Sequence, residues 1–175
     1  MEATNNPIDN TTRLNERVVL RLITPADDVP LAQVIRLILE EYQAIGAGYA
    51  HGDAKLDAMY AYHSVPRSGY WVLEYDGQIR GGSGFGPAPS AGVEVCELRR
   101  MYLSRDLRGL GLGRRLLELT LSSARAAGYR TCYLETLQRM HEAIRLYETY
   151  GFQRIAAPLN DVGCAKSDAW FIRKL

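Results

Sequence analysis

Between Glu97 and Gly113 the chain reads Glu-Leu-Arg-Arg-Met-Tyr-Leu-Ser-Arg-Asp-Leu-Arg-Gly-Leu-Gly-Leu-Gly, and most residues able to do chemistry fall in or near that stretch. Gly109, Gly111 and Gly113 alternate behind Arg108. Glycine takes φ > 0 freely and lets a ligand approach the backbone. A helix starting just behind such a turn presents unpaired N–H groups and a partial positive charge. Together these predict a seat for a phosphate or pyrophosphate. Arg108, Arg114 and Arg115 are either phosphate contacts or a solvated charged surface. Glu97 is the only acid in the middle of the strand entering the turn. Glu94 competes with it, but alternation puts Glu94 on the opposite strand face.

The turn fails two tests for familiar phosphate motifs. A Walker A loop needs Gly-x-x-x-x-Gly-Lys-Ser/Thr, and no lysine lies near Gly109–Gly113. A dinucleotide turn needs a third glycine where Leu116 stands, early in a βαβ unit, with an acid roughly 20 residues on. Glu135 meets the last condition only loosely.

The elements around this stretch can be read from pattern. Val18–Ile23 is a strand, and Thr24-Pro25-Ala26-Asp27 is a helix start with a capping threonine, an early proline and an acid three residues on. Leu31, Val34, Ile35, Ile38, Leu39 and Tyr42 form one helical stripe. Asp53 caps a weaker helix carrying Leu56, Met59, Tyr60 and His63. Tyr42, Tyr49, Tyr60 and Tyr62 either line a pocket or pack; His51 and His63 read as ordinary surface or partly buried histidines. Asp76-Gly77 between Tyr70–Tyr75 and Gln78–Phe85 marks a hairpin. Gly81, Gly82 and Gly84 in its second arm suggest a bulge or a close approach of another backbone. A strand over Val93–Leu103, a helix from Gly113 to about Ala127, a strand over Arg130–Thr136, a helix over Met140–Tyr150 and strands over Phe152–Ala156 and Ala169–Ile172 complete the chain. This is an α+β fold: a mixed central sheet of about seven strands flanked by about four helices. Residues 1–16 read as a flexible polar tail and residues 17–175 as one domain.

The chain has 175 residues, 47% hydrophobic and 23% charged, with net charge +1. Without a concentrated basic footprint, nucleic acid is not an expected partner. No apolar run approaches a membrane span of about 20 residues, and no signal-peptide core is visible, so the expectation is a cytoplasmic protein. Cys96, Cys132 and Cys164 are too scattered for a disulfide framework or a zinc site. Cys96 and Cys132 read as buried thiols. No metal is expected.

Arg108-x-x-Gly111-x-Gly113 resembles the signature of the GCN5-related N-acetyltransferase (GNAT) superfamily. Ala143, Tyr147 and Gly151-Phe152 match its second element, and the order of elements fits from about Arg17 to Leu175. The resemblance implies acetyl-CoA as co-substrate. Its pyrophosphate would rest on the backbone of Arg108, Gly109, Leu110, Gly111, Leu112, Gly113 and Arg114, and its pantetheine would run beside Met101, Tyr102 and Leu103. It implies Glu97 as general base, directly or through water, unless Glu97 is instead spent on an ion pair with Arg99. It implies Tyr147 as the acid that protonates the departing thiolate, and a backbone N–H near Met101–Leu103 for the oxyanion. Many relatives carry Asn where this chain has Met140. The expected activity is acetyl transfer to a primary amine of a small molecule, amino acid or peptide by direct attack in a ternary complex. A non-catalytic acetyl-CoA sensor is the alternative. The acceptor would be set by the loops Gly46–Ser68, Pro87–Gly92 and Leu159–Ser167, and a homodimer is left open.

Overall fold

The computed structural model describes residues 11–159 and 165–175; Cys164 and part of the Leu159–Ser167 loop lie outside them. The first half of the chain is an antiparallel meander: β1 (Thr11–Arg13), β2 (Val18–Leu22), β3 (Gly69–Tyr75), β4 (Gln78–Pro87) and β5 (Val95–Leu103). Helices α1 (Asp28–Glu41) and α2 (Met59–His63) fill the β2–β3 connection. Then come α3 (Leu112–Ala126), β6 (Thr131–Thr136), α4 (His141–Thr149), β7 (Gln153–Ile155) and β8 (Ala169–Lys174). All strands join one mixed sheet in the order β1-β2-β3-β4-β5-β6-β8-β7. The α+β expectation holds, with eight strands among the described residues rather than about seven.

Local chemistry accounts for the ends of these elements. Thr24 donates its N–H and hydroxyl to Asp27 at 2.7 and 2.9 Å, closing the turn before α1. Asp76 and Gly77 both take positive φ, 52° and 75°, as a tight hairpin between twisted strands requires. The expected tail is corrected in one part: Thr11–Arg13 pairs with Val19–Arg21 as an edge strand. Residues 1–10 lie outside the described residues.

The core lies on both faces of the sheet. Along β3, Tyr70 and Val72 face α1 with Leu31, Ile35 and Leu39, whereas Trp71 and Leu73 face α3 with Leu112 and Leu116. A strand covered on both sides reads as an unbroken apolar run, which Tyr70-Trp71-Val72-Leu73 is. Cys96, Leu98, Cys132 and Leu134 pack with α3 and α4 in a second body of core. Cys96 and Cys132 are buried free thiols, as expected, and stand opposite each other in register.

Two departures from regularity shape the centre. The parallel pairing of β5 with β6 lasts for three residues, ending at Glu97 opposite Tyr133. Beyond it β5 pairs only with β4, and β6 only with β8, so the sheet opens into a wedge. In the same region β5 carries a bulge: Gly84 pairs with Arg99 but Gly82 pairs with Tyr102, so β5 spends three steps where β4 spends two. The extra residue is accommodated at Arg100, whose φ is +51°.

Candidate active site

The wedge is the mouth of a cleft of about 470 Å³, a volume typical of small-molecule sites. It is lined by β5 and β6 where they part, by α4 and by the α1–α2 connection. Glu97 and Tyr147, far apart in sequence, both line it.

Glu97 occupies the last paired position of β5 before the wedge. Its Oε2 accepts from Arg99 Nε at 3.1 Å, and both side chains are largely buried. The ion pair expected as the alternative use of Glu97 therefore exists, and it lies inside the cleft. Arg99 is held on every side. Nη2 donates to the carbonyl of Pro87 at 2.5 Å, the guanidinium packs 4.8 Å from the centre of the Tyr62 ring, and Nη1 lies over Gly86. A Cβ at Gly86 would come within 2.2 Å of Nη1. Gly82 and Gly84 likewise give room to the Tyr70 ring, whose hydroxyl donates to the carbonyl of Arg100 at 2.8 Å. The β4 glycines thus accompany bulges and a close approach of backbone as well: a Cβ at Gly81 would stand 2.3 Å from the Tyr102 carbonyl oxygen, and one at Gly82 or Gly84 would meet a β3 carbonyl at 2.6 Å beside the Tyr70 ring. Glu94 is drawn off to an exposed ion pair with Arg130.

Tyr147 points from the buried face of α4 into the cleft and meets the Phe152 ring edge-on at 5.8 Å. Burial, reinforced by Tyr102, pushes its phenol well above the usual tyrosine range, so it stays protonated. Met140 precedes α4 and packs into the α1 core, where it accepts a hydrogen bond from Thr136 through its sulfur. Among the tyrosines, Tyr49 and Tyr62 line the cleft, Tyr42 stands beside Arg108, and Tyr60 is exposed. His63 is buried. Its Nδ1 contacts the carbonyl of Met59 at 2.9 Å, and burial with Arg99 and Arg100 nearby lowers its pKa to about 4, so it is neutral at pH 7.

Alternation past the bulge fixes the backbone of β5. Ser104 donates its N–H to Arg80 on β4, so the amides of Leu103 and Met101 turn away, toward the wedge. Leu103 O accordingly accepts from Arg108 Nε at 3.0 Å.

The glycine turn follows. Gly109 and Gly111 both have φ of +77° and open space where a Cβ would stand. Gly113 does not: it lies in the first turn of α3 with ordinary backbone angles, and an added Cβ would make only van der Waals contact with Leu146 and Met101. The expectation of three turn glycines is corrected to two. α3 begins at Leu112 with no side-chain cap, and Arg115 is the first N–H to bond back, to Gly111 at 3.2 Å. The preceding amides are left for an external acceptor.

Arg108 is folded inward rather than extended. It pairs with Glu41 at 2.9 Å and reaches Tyr42, while its Nη2 is buried without a hydrogen-bond partner among the described residues. Beside it is a hollow of about 360 Å³ that Arg105, Arg139, His141 and Arg145 line together with Glu41 and Glu142. Arg114 and Arg115 are exposed, and Arg115 pairs with Glu118. An orphan donor, a cationic hollow and open helix amides fit a phosphorylated ligand. Arg105, Arg139 and Arg145 were not foreseen, because they come from separate segments that only the fold brings together.

The comparisons with known proteins agree with this geometry. The Acetyltransferase (GNAT) family profile matches residues 31–152. The chain is 37% identical over 158 residues to the uncharacterized N-acetyltransferase YjgM of Escherichia coli, covering 90% of this chain and 95% of that protein. It is 34% identical over 108 residues to rat N-acetyltransferase 8, which covers 61% of this chain and 49% of that protein. Among solved structures, a GNAT-family acetyltransferase from Staphylococcus aureus superposes with a TM-score of 0.79 at 17% identity, covering 90% of this chain and 98% of that one. A putative acetyltransferase from Salmonella typhimurium, solved with acetyl-CoA, gives 0.70 at 20% identity, covering 91% and 94%. The chain belongs to the GCN5-related N-acetyltransferase superfamily, and it is an acyltransferase. Among the described residues no helix is long and apolar enough to cross a membrane.

Proposed function

We propose that this protein moves an acetyl group from acetyl-CoA to a primary amine by direct attack within a ternary complex. The observation that carries the reading is the wedge itself: one cleft is lined by Glu97, Met101 and Tyr147 where β5 parts from β6. Acetyl-CoA supplies the activated thioester. The backbone of Gly109–Arg114, together with the arginine-lined hollow, would hold its phosphates, and the β5 edge would hold its extended arm.

The chain's own groups then divide the work. Glu97 accepts the proton of the acceptor's ammonium, directly or through water. An outward β5 amide donates to the developing oxyanion, a kind of contact that strengthens as charge forms. Tyr147, kept protonated by burial, donates its proton to the departing sulfur. No covalent intermediate is required, and the buried thiols Cys96 and Cys132 play no part. The Salmonella relative's bound acetyl-CoA supports the choice of co-substrate. Tyr147→Phe tests the division: kcat falls by about 10²–10⁴-fold while acetyl-CoA affinity stays near the parent value. An unchanged kcat removes Tyr147 from the mechanism.

A further inference from the structure

The cleft is lined by equal numbers of positive and negative side chains. Lys55, Arg99 and Arg100 line it with Asp53, Glu97 and Glu135. A site for a polycation would carry an excess of acid; this one suits a ligand bearing both signs. The charges also gather at one place. The Tyr62 ring has Arg99 4.8 Å and Lys55 5.0 Å from its centre, and Arg100, Asp53 and Glu97 act on the same phenol.

The bulge explains how two consecutive arginines reach one cleft. In a regular strand Arg99 and Arg100 would point to opposite faces. The extra residue and the positive φ of Arg100 break that alternation, so both line the same cavity. A non-glycine residue held at positive φ costs energy and is commonly kept where a side chain must be re-aimed. The two arginines are not equivalent. Arg99 is held at two nitrogens, Nε by Glu97 and Nη2 by the Pro87 carbonyl, with Nη1 packed over Gly86. Arg100 is held through Nη2 alone, by Asp53, which also accepts the N–H of Lys55 and so is fixed by its own turn. A guanidinium has five donors, and one used donor leaves a fork that matches a carboxylate.

We propose that the acceptor is an α-amino acid, with its carboxylate on Arg100 and its α-amine facing Glu97. This rests on the amine-acetylating reading above and narrows it. Asp53 acts as the positioning residue for Arg100, and Arg99 as that for Glu97. Because Glu97 and Arg100 both act on the one Tyr62 ring, the ligand's two charges must be close together, as they are across one Cα and not across a lysine side chain.

The test uses the full chain with acetyl-CoA and follows thiol release. Acceptors are presented as matched sets with one side chain each: the α-amino acid, its methyl ester and its decarboxylated amine. Spermidine and a lysine-containing peptide with a blocked N-terminus are included. In the best-accepted set, the free acid exceeds the ester and the amine by about 10- to 100-fold in kcat/KM, chiefly through KM. Arg100→Gln removes that preference, and the ratio is read within one protein preparation, so a lowered active fraction does not affect it. The comparison on the unaltered protein stands whatever Arg100→Gln does to folding. Ester or amine matching the acid in every set, or turnover of spermidine or the peptide alone, overturns the proposal while leaving amine acetylation intact. Silence on every amine by a protein that binds acetyl-CoA overturns both.

Discussion

Gly86→Ala isolates the contact that holds Glu97. Gly86 has no positive φ, so its backbone accepts alanine, and the entropic gain alone would stabilise the fold by about 0.4–1 kcal/mol. The space does not accept it. The new Cβ would stand 2.2 Å from Arg99 Nη1 and 2.8 Å from its Cζ, so the guanidinium must swing away from Glu97 Oε2 and the Pro87 carbonyl. Hydrogen bonds of this charged kind contribute about 1.5–3 kcal/mol each, so a ceiling of about 3–6 kcal/mol follows. Rehydration of the freed guanidinium in the cleft returns part of that, and the net expectation is a destabilisation of about 1–3 kcal/mol. Urea unfolding at neutral pH measures it, as a double-mutant cycle with Arg99→Ala. Once Arg99 is truncated, the same Gly86→Ala change should be neutral or stabilising, giving a coupling of at least about 1 kcal/mol. Equal costs in the two backgrounds, within about 0.5 kcal/mol, would falsify the account of Gly86 as the seat of Arg99.

Two further outcomes follow from the geometry, beside that for Tyr147 given above. Gly111→Ala places a side chain at φ +77° and should cost about 1–2 kcal/mol and weaken acetyl-CoA binding, whereas Gly113→Ala, inside α3 with room for its methyl, should stabilise by about 0.5–1 kcal/mol; thermal melts and a CoA titration of the pair compare them, and similar losses in both would contradict the two-glycine turn. His63 has a folded pKa of about 4, below the unfolded value, so the unfolded chain binds the extra proton first; stability is complete above about pH 6.5 and falls by up to about 3 kcal/mol as pH drops toward 4. His63→Gln should flatten that part of the urea-midpoint profile, and an unaltered slope would assign the acid sensitivity elsewhere.

What could be read from the sequence was whatever depends on local patterning. The Thr24–Asp27 cap, the Asp76-Gly77 hairpin and the apolar stripe of α1 are short-range signals and appear where expected. The glycine turn was legible as an anion seat, yet Gly113 could not be told from Gly109 and Gly111, because residue type does not reveal φ. β1 escaped notice: three polar residues, two of them exposed, carry no apolar alternation, and only the β2 edge recruits them. The bulge had a faint signal in the β4 glycines, but nothing local marked Arg100 as the residue that takes it up. Alternation does not decide Glu94, which lies in the turn before β5 and not on the strand face expected for it, and it fails beyond Arg99, which is why the Arg100–Asp53–Tyr62 grouping was not foreseen. The pairing of Glu97 with Arg99 was legible from their two-residue spacing; that it sits within the cleft was not.

The wedge between β5 and β6 also bears on how sheets avoid sticking to one another. Past Glu97 both strands present an unpaired row of amides and carbonyls, the feature that ordinarily invites another chain to add a strand. Here the exposed row faces into a cleft that α4 and the α1–α2 connection also line. A foreign strand, with side chains on both faces and its own partner edge, has no room to enter, whereas a thin unbranched molecule carrying amides does. Confinement thus turns what would be an aggregation hazard at the rim of a sheet into a filter at its centre, one that selects by cross-section before any side chain is consulted.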